Sequence, residues 1–105
     1  MAAIVWTEPA LSDLDAIADY IAVEHASAAA ALVARVFAHV EQLAAHPESG
    51  SRPQEFPRTT RYRQLVEPPC RIFYRYDGAR VLILHVMRSE RRLRVTRLAR
   101  AEGSF

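Results

Sequence analysis

The sequence predicts an α+β fold in which a helix hairpin packs on a small, mostly antiparallel sheet. The expected element order is β-α-α-β-β-β, followed by a short C-terminal helix or tail. Three observations carry this reading. Apolar residues recur at three- and four-residue spacing through the first half of the chain, strand-like runs fill much of the second half, and Asp77-Gly78 separates two of those runs as a hairpin turn. Half of the 105 residues are apolar, so one two-layer core is feasible and residues 1–105 are expected to form a single domain.

Ala3 to Trp6 is a short β-branched and aromatic run, read as the first strand. Thr7 then offers an N-cap, and Pro9 fits the first turn of a helix. Leu11, Leu14, Ile17 and Ile21 mark one amphipathic stripe, with Asp13, Asp15 and Asp19 mostly off it. After Glu24 to Ser27 a second stripe follows, through Leu32, Val33, Val36, Phe37, Val40 and Leu43, and it stops before Pro47. Pro47, Gly50, Ser51, Pro53 and Pro57 make 47–60 a loop, of a length that in a small domain is often functional.

Tyr62 to Val66 and Ile72 to Tyr76 read as strands separated by Pro68 and Pro69, a pair that excludes a central strand between them. Val81 to Met87 is the most hydrophobic strand. A two-residue turn at Asp77-Gly78 sets Arg75 opposite Arg80, Phe73 opposite Leu82 and Arg71 opposite Leu84. One register of the preceding strand then gathers Arg61, Arg63, Arg71, Arg75 and Arg80 on one face. Arginines so placed repel one another, which leaves two readings: they splay into water, or an anion or a partner's carboxylates lie between them. From Ser89 onward, Arg91, Arg92, Arg94, Arg97 and Arg100 are interspersed with Leu93, Val95 and Leu98. The helical period there is weak, so the segment is read as a short helix or a tail that orders on binding, with few apolar anchors.

Charge is divided along the chain. Residues 1–50 hold seven acids and one base, Arg35, whereas residues 51–105 hold thirteen arginines and five acids, so the halves carry −6 and +8. The second half is suited to phosphates or to a carboxylate-rich partner. Every basic side chain is Arg, which favours planar, bidentate contacts, although a composition bias explains the same preference. The lone cysteine, Cys70, allows no intramolecular disulfide and no thiolate zinc cluster, consistent with a reducing cytoplasm. No apolar run approaches the roughly 18 residues of a membrane span. The four histidines lack ligand spacing, so neither metal nor cofactor is expected. His25, His39 and His46 are read as structural or solvated, and His85, inside the hydrophobic strand, as either a satisfied core residue or an acid/base group. Tyr74 and Tyr76 are candidates for base stacking, but at strand period at least one of them is expected in the core.

The words WTEPALSDLDAIADYI and YRQLVEPPCRIFYRYDGARVLILHVMRSERR, in this order of elements, resemble the RelE/ParE superfamily of bacterial type II toxins over residues 3–93. The resemblance implies a toxin made with a cognate antitoxin whose C-terminal segment masks it in a hetero-oligomer. One branch of that superfamily cuts messenger RNA in the ribosomal A site without metal, and the other, ParE, poisons DNA gyrase.

A metal-free nuclease needs a general base, cations for the phosphate and an acid for the leaving oxygen. Arg63 and Arg71 match basic positions of the nuclease pattern, and His85 is the remaining candidate. Leu65 and Ser89, however, stand where nucleases carry basic residues, and no Tyr, His or Lys occurs from Arg88 to Ser104. Arginine stays protonated and is a poor base. The resemblance therefore implies a ParE-like inhibitor of gyrase and replication rather than an enzyme. A ribosome-dependent messenger endonuclease using Arg63, Arg71 and His85 is the alternative, and an inactive member of the family the third reading. Target or phosphate contacts are expected from Arg61, Arg63, Arg71, Arg88, Arg91, Arg92 and Arg94. Antitoxin contacts are expected from Arg75, Arg80, Phe73, Leu82 and Leu84.

Overall fold

The computed structural model describes residues 1–103. Strand β1 (Ala3–Trp6) leads into helices α1 (Glu8–Ala22) and α2 (Ala26–Glu41), the second ending in a 3-10 turn over Gln42–Ala44. Strands β2 (Tyr62–Glu67), β3 (Cys70–Tyr76) and β4 (Arg80–Arg88) follow, and helix α3 (Val95–Glu102) is the last element among the described residues. The sheet order is β1-β4-β3-β2, with β1 parallel to β4 and the other pairs antiparallel.

The helix hairpin and the loop after it carry the chain from β1 at one edge of the sheet to β2 at the other, and the β2-β3-β4 meander then returns to set β4 parallel beside β1. Thr7 makes the transition: its hydroxyl accepts from Ala10 N at 3.3 Å and donates to the Ile83 carbonyl at 2.7 Å. The cap thus pins the start of α1 to the centre of β4. His25 caps α2 in the same way, its Nδ1 accepting from Ala28 N at 3.2 Å.

The two faces of the sheet bury separate cores. Against the hairpin, Leu14, Leu32, Val36 and Val40 meet Ile72, Tyr74, Val81 and Ile83. On the opposite face Leu93, Leu98 and Ala101 cover Phe73, Leu82, Leu84 and Met87. The C-terminal segment is therefore no loosely anchored tail. Leu98 and Ala101 are fully buried, and it is Val95, an expected anchor, that is half exposed. The helix occupies only eight residues of this segment, so its apolar stripe of Leu98 and Ala101, though one-sided, spans too short a window to stand out among the arginines.

The predicted register between β3 and β4 is corrected. Arg75 lies opposite Leu82, and Tyr76 opposite Val81, because the turn is longer than two residues. The Asp77 carboxylate accepts from Ala79 N at 3.0 Å and Arg80 N at 2.7 Å, while Gly78 takes the positive φ of 96°. An Asx turn has displaced the tight turn that the Asp-Gly pair suggested. Further along, Tyr74 pairs with Ile83 but Phe73 with His85, so Leu84 is an extra residue in β4. A bulge of this kind turns Leu84 and His85 toward the same face, and both contribute to the α3 side.

Loop 47–60 is tied down rather than free. Ser51 and Gln64 exchange two backbone hydrogen bonds, and Gly50 N donates to the Tyr74 hydroxyl at 2.9 Å. A Cβ on Gly50 would lie 2.6 Å from both the Gln64 carbonyl and the Tyr74 hydroxyl, so this close approach requires glycine. Tyr74 is consequently a core residue, unavailable for base stacking.

Candidate functional site

The five arginines expected on one face are divided between two. Strand alternation puts Tyr62 and Gln64 on the α3 side with Arg71, Phe73 and Arg75, whereas Arg63 belongs with Leu65 and Tyr74 on the hairpin side. Arg63 donates to the carbonyls of Gly50 at 2.9 Å and Glu48 at 3.0 Å, which uses it to hold the loop. Arg63, Arg71 and His85 are therefore not assembled around one point.

Nor do the sheet arginines await an outside anion, because the chain supplies its own carboxylates. Arg71 grips Glu55 through two 2.8 Å hydrogen bonds, donates from Nε to Gln64 Oε1 at 2.9 Å, and lies 4.7 Å from the Phe73 ring centroid. The fork-to-fork geometry holds the Glu55 carboxyl below the usual carboxylate range. Arg75 meets Glu102 at 2.5 Å, and the same carboxylate accepts from the Tyr62 hydroxyl at 2.5 Å and pairs with Arg61 at 3.4 Å. Burial alone would raise the Glu102 pKa, but the hydrogen bonds from Tyr62 and Arg75 and the charges of Arg61 and Arg75 outweigh it, so the net shift is downward. Burial and the bond to Glu102 push the Tyr62 phenol up. Arg80 pairs with Asp77 at 3.2 Å. Repulsion between arginines, the basis for expecting partner carboxylates among them, is thus relieved from within.

Beneath this layer, Phe73, Leu82 and Leu84 are covered by α3. Cys70 lies in the hairpin core, where burial raises its thiol pKa and leaves it unsuited to nucleophilic chemistry. His39 bonds Glu67 at 3.1 Å at the surface between α2 and β2.

His85 has a different setting. Strand β1 ends at Trp6, opposite Ile83, and leaves the distal half of β4 without a strand on that side. Asp13 of α1 fills the gap. Its Oδ2 accepts from Val86 N at 3.2 Å and lies 2.5 Å from His85 Nδ1, while Oδ1 faces Arg97 Nη1 at 3.5 Å. The imidazole stacks on Phe73, the ring centroids 5.9 Å apart. His85 is thus a satisfied, largely buried residue whose Nδ1 is committed to a carboxylate.

Around His85 opens a cavity of about 390 Å³, lined also by Met87, Arg91, Arg92, Arg94 and Arg97. No carboxylate among the described residues pairs with Arg91, Arg92 or Arg94. Arg88, next in line, has its Nε 2.8 Å from Glu90 Oε1 without hydrogen-bond alignment, and its guanidinium lies 5.3 Å from the Tyr20 ring centroid. Sequence reasoning found the arginines of this site but missed Asp13 and Tyr20. Asp13 did carry a signal, being adjacent to Leu14 and four residues before Ile17, at the border of the apolar stripe.

A helix hairpin on one face of a four-stranded sheet and a basic C-terminal helix on the other define a small cationic α+β module. A family model described as ParE toxin of type II toxin-antitoxin system, parDE, matches residues 4–93. A solved structure titled "Chromosomal ParDE TA system from P. aeruginosa" superposes with a TM-score of 0.72 at 31% identity, covering 86% of this chain and 98% of that one. No curated protein matches the chain significantly. The chain belongs to the ParE toxin family of type II toxin–antitoxin systems.

Proposed function

We propose that the protein arrests growth by inhibiting DNA gyrase, without itself cleaving nucleic acid, and that a cognate antitoxin neutralises it in a cytoplasmic toxin–antitoxin complex. The observation that carries the non-catalytic reading is the separation of the nuclease candidates. Arg63 lies on the hairpin face holding loop carbonyls, Arg71 is saturated by Glu55 and Gln64, and the Nδ1 of His85 belongs to Asp13. No lysine exists in the chain, and no Tyr or His follows His85 in the sequence to serve as a second proton-transfer group.

Of the arginines expected to meet a target, Arg91, Arg92 and Arg94 retain unspent charge, with Arg88 beside them, whereas Arg61, Arg63 and Arg71 are engaged internally. An antitoxin covering the α3 face meets Arg75 and Arg80 at its rim, and reaches Phe73, Leu82 and Leu84 only by taking the place of α3. The deciding experiment adds the purified protein to gyrase and, separately, to translating ribosomes. Loss of supercoiling with intact messenger supports the reading. A-site messenger cleavage with undiminished supercoiling overturns it and establishes the nuclease.

A further inference from the structure

The cavity around His85 does not end at its own walls. A second hollow of about 310 Å³ shares Met87 and Arg91 with it and continues along α1 past Asp13 and Ile17 to Tyr20 and Arg88. A third, of about 360 Å³, shares Tyr20 and Arg88 and runs on to Val23, Glu24 and His25. Through these shared walls the three lie in a row as one trough, and each is of a size that accepts a small organic group.

The two ends of this trough differ chemically. At the His85 end four arginines line the hollow, and the one carboxylate paired with any of them, Asp13, is already shared among His85, Val86 and Arg97. Elsewhere in the molecule the arginines of the sheet have been given acids; here about three positive charges are left without one. Several forked donors arriving from different directions suit a tetrahedral phosphate better than a flat carboxylate, because its non-bridging oxygens accept from all sides. At the other end stands Tyr20, an aromatic ring 71% exposed on a helix surface, with Arg88 lying over it and Val23 84% exposed beside it. Exposed aromatics next to unpaired arginines are the two elements by which proteins hold single strands, bases on the ring and phosphates on the cations.

We infer that the trough from Arg94 to Tyr20 is a binding site for single-stranded nucleic acid, with a backbone phosphate seated against His85, Arg92 and Arg94 and a base stacked on Tyr20. The site takes Arg94 and Arg97 from the start of α3 but includes neither Arg75 nor Arg80, proposed above for the antitoxin, and it stands whether or not gyrase is the target. A nucleic acid fits this pairing of ring and cations better than an acidic peptide, because the backbone that carries its phosphates also brings a stacking base at every step.

The test uses the full chain and a fluorescein-labelled ten-nucleotide strand, as DNA and as RNA of the same sequence, followed by anisotropy at several salt concentrations. Two variants change exposed residues of the trough, Arg92→Ala with Arg94→Ala, and Tyr20→Ala. A third, Arg52→Ala with Arg58→Ala, removes the same charge from the exposed loop beside β2. The trough arginine pair should weaken binding about tenfold or more and lower the salt slope by about 1.4, since each single-strand phosphate contact contributes roughly 0.7. Tyr20→Ala should weaken binding about tenfold with the slope unchanged, and the loop pair should cost less than twofold. Preference for one polymer then tells DNA from RNA. Equal losses for both arginine pairs, indifference to Tyr20→Ala, or tighter binding of a ten-residue polyglutamate than of either strand would each overturn the site.

Discussion

Replacing Leu98 by alanine tests whether α3 is a structural element or an appendage. Leu98 is fully buried against Phe73, Leu82, Leu84 and Met87, so truncation leaves a cavity as well as removing apolar contact. Core leucine-to-alanine changes cost about 2–5 kcal/mol, and a middle value of about 3 applies to a helix lying on one face of a sheet, where partial collapse is possible. With an unfolding entropy of about 2.1 cal/mol/K per residue, a chain of 105 residues loses roughly 14 °C of Tm for that energy. Total stability for a domain of this size is about 5–15 kcal/mol. Truncation after Leu93 would also remove Ala101 and the Glu102 network, and should therefore leave no cooperative transition at 37 °C. Urea denaturation followed by circular dichroism measures both. A truncated protein that still unfolds cooperatively within a few degrees of the full chain would refute the core role of α3, as would a Leu98→Ala midpoint unchanged at constant m-value.

Three further outcomes follow from the same contacts. Glu102→Gln should flatten the acid limb of the stability curve: a carboxyl with lowered pKa stabilises the fold above its unfolded value near 4.5, and that contribution disappears as pH falls through the folded value. Parallel melts of wild type and variant from pH 7 to pH 3 check this, and identical limbs would remove Glu102 from the account. Gly50→Ala should cost about 1–3 kcal/mol by forcing a Cβ against the Gln64 carbonyl and the Tyr74 hydroxyl, read as a fall in urea midpoint. Thr7→Val should cost about 1–2 kcal/mol, because it removes both the α1 cap and the hydroxyl bond to Ile83, and hydrogen exchange should quicken first at the start of α1.

Local chemistry made much of this fold legible. Thr7 as a cap, the stripes through Leu14 and Leu32, and the position of a turn near Asp77 each depend on residues a few positions apart, and the local sequence carries them. The register of β3 on β4 was not legible there, because the Asp77 side chain lengthened the turn and the extra residue Leu84 shifted the pairing again. The partners of the arginines were equally hidden. Glu55 lies sixteen residues from Arg71 and Glu102 twenty-seven from Arg75, separations at which no periodic signal survives. Asp13 looked like one of three solvent acids on α1, and only the early end of β1 explains why it, rather than Asp15 or Asp19, was drawn into the sheet.

That early end also bears on how the molecule keeps to itself. An uncovered half-strand is a template, since its open amides and carbonyls invite a second chain to add on and extend the sheet. Here β1 pairs with only the first half of β4, so the growth point would fall at Val86. Asp13 occupies it with a charged group that bonds the amide but offers an incoming strand nothing to continue from. A single side chain borrowed from the crossover helix thus terminates the sheet, and losing it would expose the edge to other copies of the same chain.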